Sequence, residues 1–471
     1  MYKRQGQLPV RTGRSRGRAP NLDRPTGSDR HPDHPGAGYL VDDAGRFTAD
    51  NPDVQQDLAH PLRPRSVVGY LTEALDRRRR TGGGPFTVLS CDNLPDSGAA
   101  ARTAVVSYAA LRDPALAAWI KRNVTFPSSM VDRITPETSP EMRDEIEEKL
   151  GVADRWPVVT EPFRQWIVED AFCNGRPPLD RVGAQFVDDV APYKLVKGRM
   201  LNGGHCALGY LGSLAGHART DQAMADPVIR TTVEQMLAEE VQSLRPPVPG
   251  VDLEDYRRAT LERFANPAIG DTLARLCRRG SVKMPSYLLP SLREAREQGH
   301  PRAMLVLAVA AWLLYLRGAD LAGRAIEVVD PRADELRERA TAGGNDPRPL
   351  MGLRNVFGSL GEDPRLVAEI GDVLAVLSRD GLEARRPSLW PSGESGGGVS
   401  IETGDPFQGP PDPGPVVVTT VLALRDENTS MTSGTPCWGS ATRIMDDIVL
   451  RQVQAGLNAE EGRLTQSQVA E

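Results

Sequence analysis

Lys197, Asn202 and His205 place an amine, an amide and an imidazole in one short stretch, the latter two lying five and eight residues after the lysine. Together these groups can take a proton from an alcohol without a metal, provided the lysine is desolvated enough to be neutral part of the time. At about 100° per residue, eight residues bring His205 back to within about 80° of Lys197 on a helix. Asn202 and His205 are i,i+3 neighbours, so one helix from Tyr193 can present all three side chains to one pocket. The same stretch also reads as a helix with an ordinary solvated lysine, interrupted by a turn at Asn202-Gly203.

The elements before this stretch are of a different kind from those after it. Val67 to Arg80 reads as a helix ending in four arginines, a favourable charge at a helix C-terminus. Phe86 to Cys91 reads as a compact apolar strand leading through Asp92-Asn93 to a helix over Gly98 to Ala110. That is the βα order of a parallel sheet. Ligands of such sheets sit beyond the carboxyl ends of the strands, which makes Asn93 a candidate; a turn without function is the alternative. Helix continues over Asp113 to Lys121, and Val124 to Pro136 reads as a second apolar strand containing Asp132-Arg133. That charged pair is either a structural ion pair or a device that positions substrate and cofactor. Val158-Val159 and Trp166 to Val168 suggest further short strands, followed by a turn over Asn174 to Pro178.

From Lys194 onward long helical patterns follow one another: Asp221 to Ser243, Leu253 to Asn266, Ala268 to Arg279, Tyr287 to Gln298, Arg302 to Leu316, Asp334 to Ala342 and Asp363 to Arg379. The predicted architecture is therefore α/β plus all-α. An incomplete Rossmann-type dinucleotide-binding domain (38–192) precedes an all-helical substrate domain (193–386), with the lysine stretch at their boundary, a favoured place for a pocket. Residues 1–37 read as a disordered or non-native tail, and the Pro/Gly/Ser-rich residues 387–471 as a second disordered tail.

Composition narrows the class. The chain has 471 residues, 25% of them charged, and a net charge of −6, which gives no general argument for nucleic acid. The basic block from Met1 to Arg30, eight Lys/Arg against two Asp, lacks aromatic interleaving. Five cysteines without a CxxC pair fit a reducing cytoplasm better than a disulfide framework. Six histidines without HxxxH or HExxH give no zinc signature. The longest apolar run, Ala303 to Leu316, is 14 residues, too short to span a bilayer, and reads as a buried helix.

Several separated segments resemble the polyol-specific long-chain dehydrogenases, the family of mannitol 2-dehydrogenase and fructuronate reductase. They are Ser90-Cys91-Asp92-Asn93, Val124 to Pro136 around Val131-Asp132-Arg133, Glu161 to Trp166, Asn174 to Pro177, Arg263 to Pro267 and Ser281 to Pro285. The similarity extends over roughly residues 38 to 380, and the motifs occur in the family's order. The resemblance implies that Lys197 is the general base in polyol oxidation and the acid in ketose reduction. Asn202 and Asn93 would stabilise the developing alkoxide, and His205 would hold a neighbouring hydroxyl and orient Lys197. Asp132, Arg275 and Lys283 match positions that bind the outer hydroxyls, with Asn93 and Asp132 also beside the cofactor. Arg275 and Lys283 are eight residues apart and face one cleft if their helix is continuous. The implied cofactor is NAD or NADP, NAD being preferred, and the implied partners are a polyol and a ketose; neither nucleic acid nor a membrane is expected, and the oligomeric state is open, a monomer being preferred. D-mannitol and D-fructose are the leading pair, since Leu201 to His217 and Phe264 to Ile269 resemble the mannitol branch. Fructuronate reductase or another hexuronate oxidoreductase is the alternative.

The chain departs from the family in one respect. Members begin with a strand and a glycine-rich turn of the GxGxFHR kind that holds the cofactor pyrophosphate, and this sequence contains no such turn. The first βαβ units are expected to be truncated and replaced by residues 1–37, with cofactor affinity reduced accordingly. A non-catalytic fragment that keeps the pocket but not the cofactor is the corresponding alternative.

Overall fold

Side-chain caps set the helix starts of the N-terminal half. In the computed structural model, which describes residues 37–42, 45–151, 154, 157–244 and 248–382, α1 (Pro52–Ala59) begins behind Asn51 and α2 (Val67–Thr81) behind Ser66. The latter side chain accepts from the Gly69 N–H and satisfies one of the open donors of the first turn. Asp96 and Asp113 cap α3 (Ser97–Arg112) and α4 (Pro114–Asn123) in the same way. The expected tails fall outside the described residues, apart from Ala37.

The sheet is smaller than the sequence suggests, and it is mixed. β1 (Ser129–Asp132) pairs antiparallel with β2 (Gln165–Glu169), which pairs parallel with β3 (Ala184–Val187). α5 (Pro140–Leu150) lies between β1 and β2 in the chain. The predicted strand Phe86 to Cys91 is extended but forms no ladder. Val88 N–H donates to the Thr125 carbonyl at 3.0 Å, while the other links use side chains: Thr87 with Thr125 at 3.2 Å and the Ser129 hydroxyl to the Ser90 carbonyl at 2.8 Å. The two segments thus run side by side in the same direction, as the βα order requires. α3 crosses close above them: a Cβ on Gly98 would lie 2.3 Å from the Phe126 carbonyl oxygen. Val158-Val159 forms no strand.

The helical half comprises α6 (Ala191–Lys197), α7 (Gly204–Leu214), α8 (Thr220–Ala225), α9 (Pro227–Ser243), α10 (Leu253–Phe264), α11 (Leu273–Cys277), α12 (Gly280–Gln298), α13 (Ala303–Tyr315), α14 (Ala333–Gly343), α15 (Arg348–Met351), α16 (Arg354–Phe357) and α17 (Pro364–Asp380). The helix expected over Asp221 to Ser243 is two helices, because Pro227 keeps Asp226 out of helical geometry and Asp226 instead caps α9. The helix expected over Ala268 to Arg279 shrinks to α11. Arg279 adopts a left-handed conformation (φ 59°) and starts α12 seven residues earlier than Tyr287.

α13 forms the centre of the helical core, with Met304 through Tyr315 all buried. Trp312 packs against Tyr210 of α7 and Phe357 of α16, at 6.4 and 5.7 Å between ring centroids. This apolar helix has no capping side chain of its own. The buried carboxylate of Glu239 on α9 accepts from the N–H groups of Met304 and Leu305 at 3.0 to 3.1 Å and serves instead. Met130, Ile134 and Ile167 of the sheet region join this core, and a second apolar cluster runs from Tyr39 to Val124.

Candidate active site

Asn202-Gly203 makes no turn. The backbone stays helical from Ala191 to Leu214, and Gly198–Gly203 forms a π-helical turn between α6 and α7. In a regular helix, five residues turn through about 500°, leaving Asn202 about 140° away from Lys197. A π-turn bonds i to i+5 and stacks residues that are five apart. Tertiary contacts hold this turn. Arg199 within it is buried, pairs with Glu294 of α12 at 2.5 Å and lies 3.4 Å from the Ser243 hydroxyl of α9.

Lys197 is 8% exposed, and its Nζ donates to Asn93 Oδ1 at 3.1 Å. The end of the extended segment 86–91 therefore meets the lysine helix. The contact also sets the amide's orientation: with Oδ1 accepting from the ammonium, Nδ2 of Asn93 remains a donor. Asn202 is half-buried on the π-turn.

His205 sits one helical turn further on, its ring stacked on Phe264 at 4.6 Å between centroids. Gly204 permits that approach, since a Cβ there would lie 2.9 Å from the Phe264 ring. The His205 side chain keeps some exposed surface, yet its Nε2 is buried without a hydrogen-bond partner. Burial pushes the imidazole well below its usual range, and the positive charges of Arg275, Arg263, Lys283 and Lys197 push it further in the same direction. These cations thus surround one neutral imidazole. Buried polar atoms normally have a partner, and an Nε2 without one suits a hydroxyl-bearing ligand.

Arg275 and Lys283, whose charges act on His205, lie on two helices and not on the single helix that their spacing suggested. α11 ends at Cys277 and α12 starts at Gly280, with left-handed Arg279 between them. Arg275 also pairs with buried Asp271, its Nε lying 2.6 Å from Oδ1.

Asp132 is placed otherwise than a ligand-binding carboxylate. It is 0% exposed, and both its oxygens are engaged: Oδ1 by Arg263 Nη2 at 2.6 Å, Oδ2 by Arg263 Nη1 at 3.1 Å and the Tyr256 hydroxyl at 2.5 Å. Arg263 simultaneously binds Glu161 at 2.7 Å and lies over the Phe163 ring at 4.0 Å. Of the two options in the sequence, the structure realises the ion pair, with Arg263 as the partner and not the adjacent Arg133. Despite its burial, the guanidinium holds its proton more tightly than usual because two carboxylates share it. Its neighbour Phe264 carries His205, so the cluster braces the pocket wall. Arg263, Glu161 and Tyr256 carry no role in the sequence pattern, although Glu161 and Arg263 each open a segment that resembles the family and Asp132 is a charged residue inside an apolar frame.

Lys194 was also missed. Its Nζ donates to the Leu94 carbonyl at 2.7 Å and the Ser97 hydroxyl at 3.1 Å. Burial lowers its pKa to about 8 against the opposing pull of Asp92, Glu169 and Asp96. An open cavity of about 700 Å³ lies elsewhere, beyond the C-terminal end of α7. Leu214, His217, Asp226, Leu321 and Asp380 line it, and none of the predicted site residues does.

A dinucleotide needs a phosphate cradle as well. Among the described residues no glycine-rich turn opens a helix, and α1 to α4 begin with their own Asn, Ser or Asp caps. At α3 and α4 the capping carboxylates are those of Asp96 and Asp113. The described residues thus include the alcohol-handling end of a dehydrogenase, without a glycine-rich phosphate turn among them.

A family model described as the mannitol dehydrogenase Rossmann domain matches residues 34–181, and one described as the mannitol dehydrogenase C-terminal domain matches residues 189–377. A mannitol 2-dehydrogenase of Aspergillus fumigatus is 43% identical over 355 residues, covering 74% of this chain and 71% of the relative. A mannitol dehydrogenase of Saccharomyces cerevisiae is 46% identical over 323 residues, covering 68% and 64%. Among solved structures, the ternary complex of Pseudomonas fluorescens mannitol 2-dehydrogenase with NAD and D-mannitol is similar, with a TM-score of 0.65 and 41% identity, covering 74% of this chain and 71% of that one. A substrate-free D-sorbitol dehydrogenase gives a TM-score of 0.68 at 36% identity, covering 74% and 72%.

Proposed function

The chain belongs to the mannitol dehydrogenase family, and from that premise we propose that it is an NAD-dependent polyol dehydrogenase interconverting D-mannitol and D-fructose. The observation that carries this reading is the contact of Lys197 Nζ with Asn93 Oδ1, beside the buried, unpartnered Nε2 of His205. In oxidation, neutral Lys197 takes the proton of the C2 hydroxyl. The Nδ2 groups of Asn93 and Asn202 donate to the oxygen as negative charge develops on it, and the contact of Asn93 Oδ1 with Lys197 leaves its Nδ2 available for that role. His205, neutral and unpartnered, takes a neighbouring hydroxyl. Arg275 and Lys283 bind the outer hydroxyls. Asp132 acts on the pocket through Arg263, holding the wall that carries Phe264 and His205. NAD, when bound, would accept the hydride from C2.

The relatives support a polyol in preference to a hexuronate, since those reported above are named for mannitol or sorbitol. Cysteines without CxxC pairing support a reducing cytoplasm. Among the described residues no helix is long and apolar enough to cross a membrane.

The test is NADH formation from NAD and D-mannitol by the folded chain, together with a fluorescence titration with NADH. Saturable binding and mannitol-dependent turnover are expected. A folded chain that neither binds NADH at millimolar concentration nor oxidises mannitol is a non-catalytic member of the family.

A further inference from the structure

Lys194 and Lys197 lie one turn apart on α6, where i,i+3 side chains are neighbours on one face. Both reach the same loop: Lys197 donates to Asn93 and Lys194 to the carbonyl of the next residue, Leu94. The other partner of Lys194 is Ser97, the first residue of α3. Neither hydrogen-bonded partner carries a charge. An ammonium at a helix N-terminus also faces the positive end of the helix dipole. What favours a cation here is the nearby charge of Asp92, Glu169 and Asp96, none of them hydrogen-bonded to it.

We propose, taking Lys197 as the base, that Lys194 is a positioning residue: its ammonium, tied to Leu94 and Ser97, favours the uncharged amine of Lys197 and holds the loop that presents Asn93. The charge of Lys197 is among the causes that lower the Lys194 pKa to about 8, after burial. The coupling is reciprocal, so the Lys194 charge acts on Lys197 to the same extent. Asp92, Asp96 and Glu169 oppose this effect, and Cys91 faces the same ammonium. Below about pH 8 Lys194 is mainly charged, and this is the range in which a base one turn away gains from it. Sequence supplied the one available sign, a second lysine at i−3 from the first.

The experiment follows the lysine 13Cε resonances with pH in the full chain, using Lys197→Met for assignment, in the wild type, Lys194→Gln and Lys194→Arg. In Lys194→Gln the Lys197 titration moves to higher pH by a few tenths of a unit to about one unit, and the acid limb of the kcat/KM profile for mannitol oxidation moves with it. In Lys194→Arg the Lys197 titration stays at the wild-type position. An unshifted Lys197 titration in Lys194→Gln overturns the proposal. Should that variant fail to fold, the wild type decides: the two lysines must titrate in linked steps, and independent single steps overturn it. The two readings separate cleanly. A shifted titration with normal turnover in Lys197→Met removes Lys197 as base and leaves the coupling standing, while lost turnover in Lys197→Met with no shift removes only the role of Lys194.

Discussion

Lys197 Nζ and Asn93 Oδ1 lie 3.1 Å apart although 104 residues separate them in the chain. One belongs to a helix that leads into a π-turn, the other to the loop between an extended segment and α3. The contact joins the sheet side of the molecule to the helical side, and it fixes which atom of the Asn93 amide remains free to donate.

Loss of either partner should therefore appear in turnover more than in folding. Lys197→Met is expected to lower kcat for mannitol oxidation by about 10²–10⁴-fold, and Asn93→Ala by about 10²–10³-fold. The double variant should cost far less than the product, because the two groups act as a unit. Steady-state rates with NAD and D-mannitol, alongside circular dichroism, check this; rates within twofold of wild type in either variant contradict it.

The His205 imidazole, held low first by burial and then by the surrounding cations, predicts an acid-side loss of stability. The unfolded chain takes up a proton near pH 6.5 that the folded chain does not, so this contribution is present above about pH 6.5 and falls away below it. Urea unfolding at pH 7.5 and pH 5.0 should show a smaller loss in His205→Leu than in the wild type. An equal loss in both would mean that His205 charges freely in the folded protein.

Glu240 gives the opposite slope. Burial first, with Glu239 and Glu294 nearby, pushes its carboxyl up to about 8 despite Ser291 and Arg199, and one of its oxygens lacks a partner. The folded state therefore keeps a proton that the unfolded chain loses near pH 4.3, and its stabilising effect fades as the pH rises towards 8. Glu240→Gln keeps the shape without the charge. It should exceed the wild type in stability at pH 9 by on the order of a few kcal/mol, with the gap closing near pH 4. A gap that is flat with pH would show the carboxyl to be ionised throughout.

Arg263 is the only cation hydrogen-bonded to both Asp132 and Glu161 among the described residues. Removing it in Arg263→Met strands two buried carboxylates, at an expected cost of about 3–5 kcal/mol. Guanidinium or urea titration reads this directly, and a loss below about 1 kcal/mol would place the pair in a wetter setting than the structure shows.

Sequence by itself determined the features that rest on interactions within a few residues. Ser66, Asp96, Asp113 and Asp226 each bond an N–H in the first turn of their own helix, and the unbroken apolar run from Ala303 admits only burial. The lysine, asparagine and histidine could be named because their types and order carry the family's pattern. Tertiary structure alone decided how those residues meet. The π-turn at Gly198–Gly203 depends on Arg199 reaching Glu294 and Ser243 from distant helices. The commitment of Asp132 to Arg263 spans 131 residues, and the separation of Arg275 from Lys283 depends on the left-handed Arg279, whose N–H is held by the Val329 carbonyl. Even the extended run Phe86 to Cys91, strand-like in composition, became a ladder or not according to what lay beside it. Caps and periodicity are local and can be read along the chain, whereas register, ion pairing and helix geometry at the site follow from packing between segments that the linear order keeps apart.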